Sequence, residues 1–144
     1  MPFSASNLPF PGFRGEVTTE EAWNLLQKEK GAMLVDVRTE HEWDFIGVPD
    51  LAAVDKVVVK LSWRLLPEME LNTEFEKTLM AQIPSRETPI YFMCKGGGRS
   101  AEAAAAMTQL GYTQCYNILG GFEGRASAPQ HKGWQQANLP WSKA

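Results

Sequence analysis

The run Pro89-Ile90-Tyr91-Phe92-Met93-Cys94-Lys95-Gly96-Gly97-Gly98-Arg99-Ser100, continued by AEAAAAMTQL over 101–110, reads as strand, glycine-rich loop and helix. Residues 89–93 form a short apolar, β-rich run of the kind that makes a buried strand. The alanine-rich stretch has high helix propensity and stops at Gly111, the residue type favoured just past a helix end. Working outward, the alternation repeats. Ala32 to Val37 reads as a second buried strand that emerges from the core at Arg38, and Val57 to Leu61 and Cys115 to Leu119 read as two more. Thr18-Thr19-Glu20-Glu21 contains a Thr-x-x-Glu capping box, followed by Ala22, Leu25 and Leu26 on one face and by Gly31, which predicts a helix over 19–29. Asn72 and Thr73 offer caps for another helix through about Gln82, with Phe75, Leu79 and Met80 as its stripe and Pro84 beyond it. Strands alternating with helices at these lengths predict an α/β domain with a mainly parallel sheet, whose sites form at the carboxyl ends of strands.

A chain of 144 residues with 44% hydrophobic and 22% charged residues has the size and balance of one globular domain, expected over 16–144. Residues 1–15 alternate Pro and Phe without a basic start or an apolar block, and read as an irregular lead-in of a cytoplasmic protein. No apolar run approaches the ~20 residues of a membrane span, so no membrane partner is expected. The formal charge of −3 removes the general attraction to a polyanion, which argues against nucleic acid as a partner. Cys94 and Cys115 are too few for a disulfide framework. With His41 and His131 isolated, no metal-ligand spacing exists, and neither metal nor cofactor is expected.

The chemistry is expected at the loop. Cys94 ends a strand and faces the unpaired N–H groups of a helix N-terminus, which stabilise negative charge. Lys95 and Arg99 add two cations, and such surroundings favour the nucleophilic thiolate. Gly96, Gly97 and Gly98 let the backbone curl around an anion without Cβ clashes, with Ser100 closing the cradle. The bland alternative is a glycine-rich β–α turn behind a core cysteine. Neither a Walker loop nor a G-x-G-x-x-G fingerprint fits the spacing. Cys115, inside a core strand, behaves as a small apolar residue, a resolving thiol being the alternative. The five tryptophans read as packing anchors.

These residues resemble the single-domain rhodanese-like sulfurtransferases, over about Thr18 to Trp141. Leu34-Val35-Asp36-Val37-Arg38 with Glu42-Trp43 is similar to the family's first signature. Cys94 to Ser100 with Ala103-Ala104, Leu110 and Gly111-Tyr112 is similar to its active-loop signature, and Asn117 to Gly121, Gly133-Trp134 and Leu139-Pro140 to its C-terminal one. The resemblance implies a three-layer fold with a five-stranded parallel sheet flanked by helices. It implies catalysis through a persulfide on Cys94, an anionic sulfur donor such as thiosulfate held by the 95–100 loop, and cyanide or a thiol or protein acceptor. It also implies that Asp36, Arg38 and Glu42 support the loop, with Arg38 expected to pair with Glu42.

The six residues from Cys94 to Arg99 match the sulfurtransferase loop, whereas related phosphatases and arsenate reductases carry one more. A persulfide-carrying or regulatory binding domain with little turnover would use the same loop, and that alternative stays open. Two departures concern substrate and partner. Gly47-Val48-Pro49-Asp50-Leu51 lacks the histidine usual after that glycine, and Phe122 to Lys132 separates Gly121 from Trp134. This insertion is expected to be a surface loop near the Cys94 mouth, shaping acceptor access rather than the first sulfur transfer.

Overall fold

The computed structural model describes residues 12–143. Strand β1 (Gly15–Thr18) runs directly into helix α1 (Thr19–Lys28), then come β2 (Met33–Asp36), α2 (Glu40–Phe45) and β3 (Val48–Pro49). Short strands β4 (Val59–Lys60), β5 (Arg64–Leu65) and β6 (Glu70–Leu71) precede α3 (Phe75–Gln82). Strand β7 (Ile90–Met93), helix α4 (Gly98–Gln109), β8 (Cys115–Leu119) and β9 (Trp141–Ser142) complete the order. Five strands form one sheet in the order β1-β8-β7-β2-β4, every neighbouring pair parallel.

The period-two alternation of β7 builds the three layers. Ile90 and Phe92 face one side with Phe75, Leu79 and Ile83 around α3 and Ala103, Ala104 and Met107 of α4. Tyr91 and Met93 face the other with Ala22 and Leu26 of α1, Phe122 and Trp134. Both faces of the central strand are covered, which is why its sequence is a continuous apolar run. Cys94 continues the first set, and so lies at the base of α4.

Several boundaries differ from expectation. The capping box at Thr18 forms with Glu21, its carboxylate accepting the Thr18 N–H at 2.8 Å, and α1 ends at Lys28. The four strands legible in the sequence are joined by β1, whose residues carry no apolar run; its register pairs Glu16 with Asn117. The lead-in over 1–15 falls largely outside the described residues, and Gly15 already belongs to β1. Helix α4 begins at Gly98, inside the stretch read as loop, and α3 lacks a side-chain cap of its own, Asn72 Oδ1 instead accepting the Glu74 N–H at 3.1 Å. Two small antiparallel ladders, β3 with β9 and β5 with β6, were not legible in the sequence. Of the tryptophans, Trp134 and Trp43 are buried anchors, whereas Trp141 is exposed on β9.

Candidate active site

Cys94 leaves the centre of the sheet and sits at the floor of an open cleft of about 410 Å³ lined by Lys95, Gly96, Gly98, Arg99 and residues 124–126 of the inserted segment. Its sulfur accepts the Gly97 N–H at 3.0 Å and lies 3.3 Å from the Ser100 hydroxyl. Gly97 is the N-cap of α4 with φ +119°, a conformation closed to most side chains, and it supplies no side-chain cap. No side chain therefore caps the first turn of this twelve-residue helix, and its residues Gly98 and Arg99 line the cleft. Only 1% of Cys94 is exposed, so a reactant must present one small terminal atom down the axis of the loop.

The loop is held from two sides. From the turn after β8, the Phe122 N–H donates to the Cys94 carbonyl at 2.9 Å and the Glu123 N–H to the Lys95 carbonyl at 3.0 Å. This crossing requires glycine at 121: a Cβ there would collide with both carbonyl groups. From α2, Glu42 accepts two hydrogen bonds from the Arg99 guanidinium, at 2.8 and 3.0 Å. Burial alone would raise the Glu42 pKa, but the Arg99 and Thr39 hydrogen bonds and the Arg99 charge outweigh it and hold the carboxyl below the usual range. Burial likewise opposes the Arg99 charge, yet its bonds to Glu42 and the fields of Glu42, Cys94 and Asp36 push its pKa up.

Glu42 therefore pairs with Arg99, which corrects the expected Arg38–Glu42 pair. Arg38 instead binds Asp36, with Nε at 2.9 Å and NH2 at 2.7 Å from the carboxylate, and donates to the Gly47 carbonyl at 2.7 Å. The guanidinium stacks 4.2 Å from the centre of the Phe122 ring. Since the Phe122 amide holds Cys94, the Asp36–Arg38 pair supports the loop through Phe122 rather than by touching it. Asp36 and Arg38 precede a helix whose Glu42 is also within sequence reach, and spacing alone cannot choose between the two carboxylates.

Three residues gain a place that sequence reasoning did not give them. Asn117 Oδ1 accepts the Ser100 hydroxyl at 2.6 Å while its amide donates to Glu16 at 3.2 Å, a chain from the edge strand to the reactive sulfur. It follows from the parallel register that sets Glu16 beside Asn117, which the fold alone reveals. Phe122 is fully buried and braces the loop, so the inserted segment is a surface loop only beyond its first residue. Arg125 lines the cleft itself. Cys115 is enclosed in the core, and burial pushes its thiol up to about 12. His41 is exposed and lies against Phe45, while His131 does not line the cleft. Among the described residues no cluster of His, Cys, Asp and Glu could hold a metal ion.

A parallel five-stranded sheet with a cysteine cradled between its central strand and a helix N-terminus defines a rhodanese-like domain. The chain belongs to the family described as the STR4 middle domain, which matches residues 14–144. It is similar to an uncharacterized protein of Rickettsia conorii, 40% identical over 126 residues that cover 87% of this chain and 94% of the relative. A thiosulfate sulfurtransferase of Actinobacillus succinogenes is 27% identical over 129 residues, covering 90% of this chain and 91% of that one. The crystal structure of Rv0390 from M. tuberculosis superposes with a TM-score of 0.78 at 38% identity, covering 92% of this chain and 99% of that one.

Proposed function

We propose that this chain is a sulfurtransferase that carries sulfane sulfur on Cys94 from thiosulfate, or a similar anionic donor, to cyanide or a thiol. The observation that carries this reading is the sulfur at the cleft floor, facing the Gly97 amide, the Ser100 hydroxyl and the α4 N-terminus. In the first half-reaction the thiolate attacks the outer sulfur of thiosulfate. The sulfur–sulfur bond of the donor breaks, and sulfite leaves with the electron pair. The terminal persulfide sulfur then carries the negative charge, within the cradle that amides and helix dipole favour for an anion. In the second half-reaction, cyanide or a thiolate attacks that terminal sulfur, and Cys94 leaves as the thiolate. Similarity to the Actinobacillus thiosulfate sulfurtransferase supports the donor class.

The same proposal places the protein in the cytoplasm, where its two free thiols suit a reducing compartment. No described helix is long and apolar enough to cross a membrane. Intact-mass measurement after incubation with thiosulfate tests the chemistry. One added sulfur atom on Cys94, lost on adding cyanide, is the expected result; no added sulfur overturns the proposal. Persulfide formation without steady-state turnover would replace the enzyme by a persulfide carrier.

A further inference from the structure

Four cationic or glycine positions of the active loop look outward onto the cleft, yet the charge of Arg99 is already engaged by Glu42 in a two-bond pair. Among the described residues, Lys95 and Arg125 are the cleft-lining cations without a carboxylate partner. Arg125 comes from the segment inserted between Gly121 and Trp134, and its approach to the loop is fixed by backbone bonds. The Glu123 N–H donates to the Lys95 carbonyl at 3.0 Å, two residues before Arg125. The segment closes on itself where the Trp134 N–H meets the Gly121 carbonyl at 2.8 Å. Both ends of the excursion are thus pinned to the turn that braces Cys94.

The glycines of the loop provide the track along which Arg125 lies. A Cβ at Gly96 would sit 3.5 Å from Arg125 Cβ and 3.7 Å from its Nε, and one at Gly98 would sit 3.6 Å from its terminal NH2. The side chain therefore runs along the outer face of the loop from Gly96 to Gly98 and ends at the first residue of α4. Its head is a planar fork of donors that matches two oxygens of a sulfonate or carboxylate. Arg125 and Cys94 line the same open cleft of about 410 Å³.

We infer that Arg125 binds the oxyanion end of the sulfur donor and thereby sets the preference for small anionic donors. This rests on the proposed sulfur transfer and gives the inserted segment a part in the first half-reaction, in contrast to the acceptor role expected from the sequence. The substrate class is a sulfane sulfur attached to an oxyanion group, as in thiosulfate or an organic thiosulfonate.

The test uses two readouts, one of them independent of turnover. First, the rates at which iodoacetate and iodoacetamide alkylate Cys94 are compared in the wild type, Arg125→Gln and the control Lys132→Gln; the two reagents differ in charge and hardly in size. The anion-to-neutral ratio is expected to fall about threefold to tenfold in Arg125→Gln, and to stay at the wild-type value in Lys132→Gln. Second, the KM for thiosulfate is expected to rise about tenfold in Arg125→Gln with kcat little changed. An unchanged alkylation ratio overturns the inference, since Arg125 then exerts no field at the sulfur. A reduced ratio with an unchanged KM overturns the donor contact. If the wild type forms no persulfide at all, the proposed function fails, and the alkylation ratio still decides whether Arg125 attracts anions to Cys94.

Discussion

Two ion pairs of nearly equal length should differ severalfold in what their loss costs. Asp36–Arg38 closes at 2.7 Å with both side chains fully buried, whereas Glu42–Arg99 closes at 2.8 Å with 16–17% of each side chain exposed. In Asp36→Asn the Arg38 guanidinium stays charged, because arginine does not release its proton in proteins, and it stays inside. It keeps the Gly47 carbonyl and one amide oxygen, and loses the compensating charge. Breaking a fully buried pair costs about 3–5 kcal/mol. Against a typical domain stability of about 5–15 kcal/mol, that is a large share. For a chain of this size we expect the midpoint of thermal unfolding to fall by about 10–20 °C, and the urea midpoint to fall with an unchanged slope. The double variant Asp36→Asn/Arg38→Met should recover part of the loss, since it removes the charge that has no partner. A loss under about 1 kcal/mol in Asp36→Asn, or no recovery in the double variant, refutes the argument from burial.

The Glu42–Arg99 pair carries a pH signature. Because the Glu42 pKa is lower folded than unfolded, its contribution is present above the ordinary glutamate value of about 4.3 and is lost as the pH falls through the folded value. Glu42→Gln should cost about 1 kcal/mol at pH 7 and nothing measurable at strongly acid pH; an equal cost at both, followed by urea unfolding, counts against it. Cys115, with its thiol pushed up to about 12, stays protonated at neutral pH. Cys115→Ser is therefore expected to keep most persulfide formation and Cys94→Ser to lose it entirely, as read by intact mass. Gly121→Ala should displace the Cys94 and Lys95 carbonyl groups, cost about 1–3 kcal/mol and slow persulfide formation; a folded variant with wild-type rate would show that the brace is dispensable.

Strands β7 and β8 and the loop after Cys94 were legible because their signals are local. A strand covered on both faces writes a continuous apolar run, and a nucleophile between glycines and cations writes its chemistry into seven consecutive residues. Strand β1 was not legible, since its four residues carry no apolar run, end in the Thr18 cap of α1 and belong to the sheet only through pairing with β8. The same holds for β3 and β9, two residues each and far apart in the chain. At the site, the partner of Arg38 was misassigned because Asp36 and Glu42 are both near in sequence, and only the buried geometry selects Asp36. Asn117, Phe122 and Arg125 reach the Cys94 loop across space from β8 and the segment after it, and spacing within the 94–100 loop holds no trace of them.

The pairing of β1 with β8 has a consequence for how the protein is made. The first strand of the described chain docks against a strand that lies about a hundred residues later, and every ladder of the main sheet is parallel and non-local. Sheets of this kind fold slowly, because loop closure must be completed before the contacts that reward it. During synthesis the Cys94 loop emerges before Gly121 and Phe122, the residues that hold its carbonyl groups. Through that interval the thiol sits in a nascent chain without its cradle, and Glu16 waits for Asn117. The site is completed late, once the turn after β8 has been made and can reach the Cys94 loop.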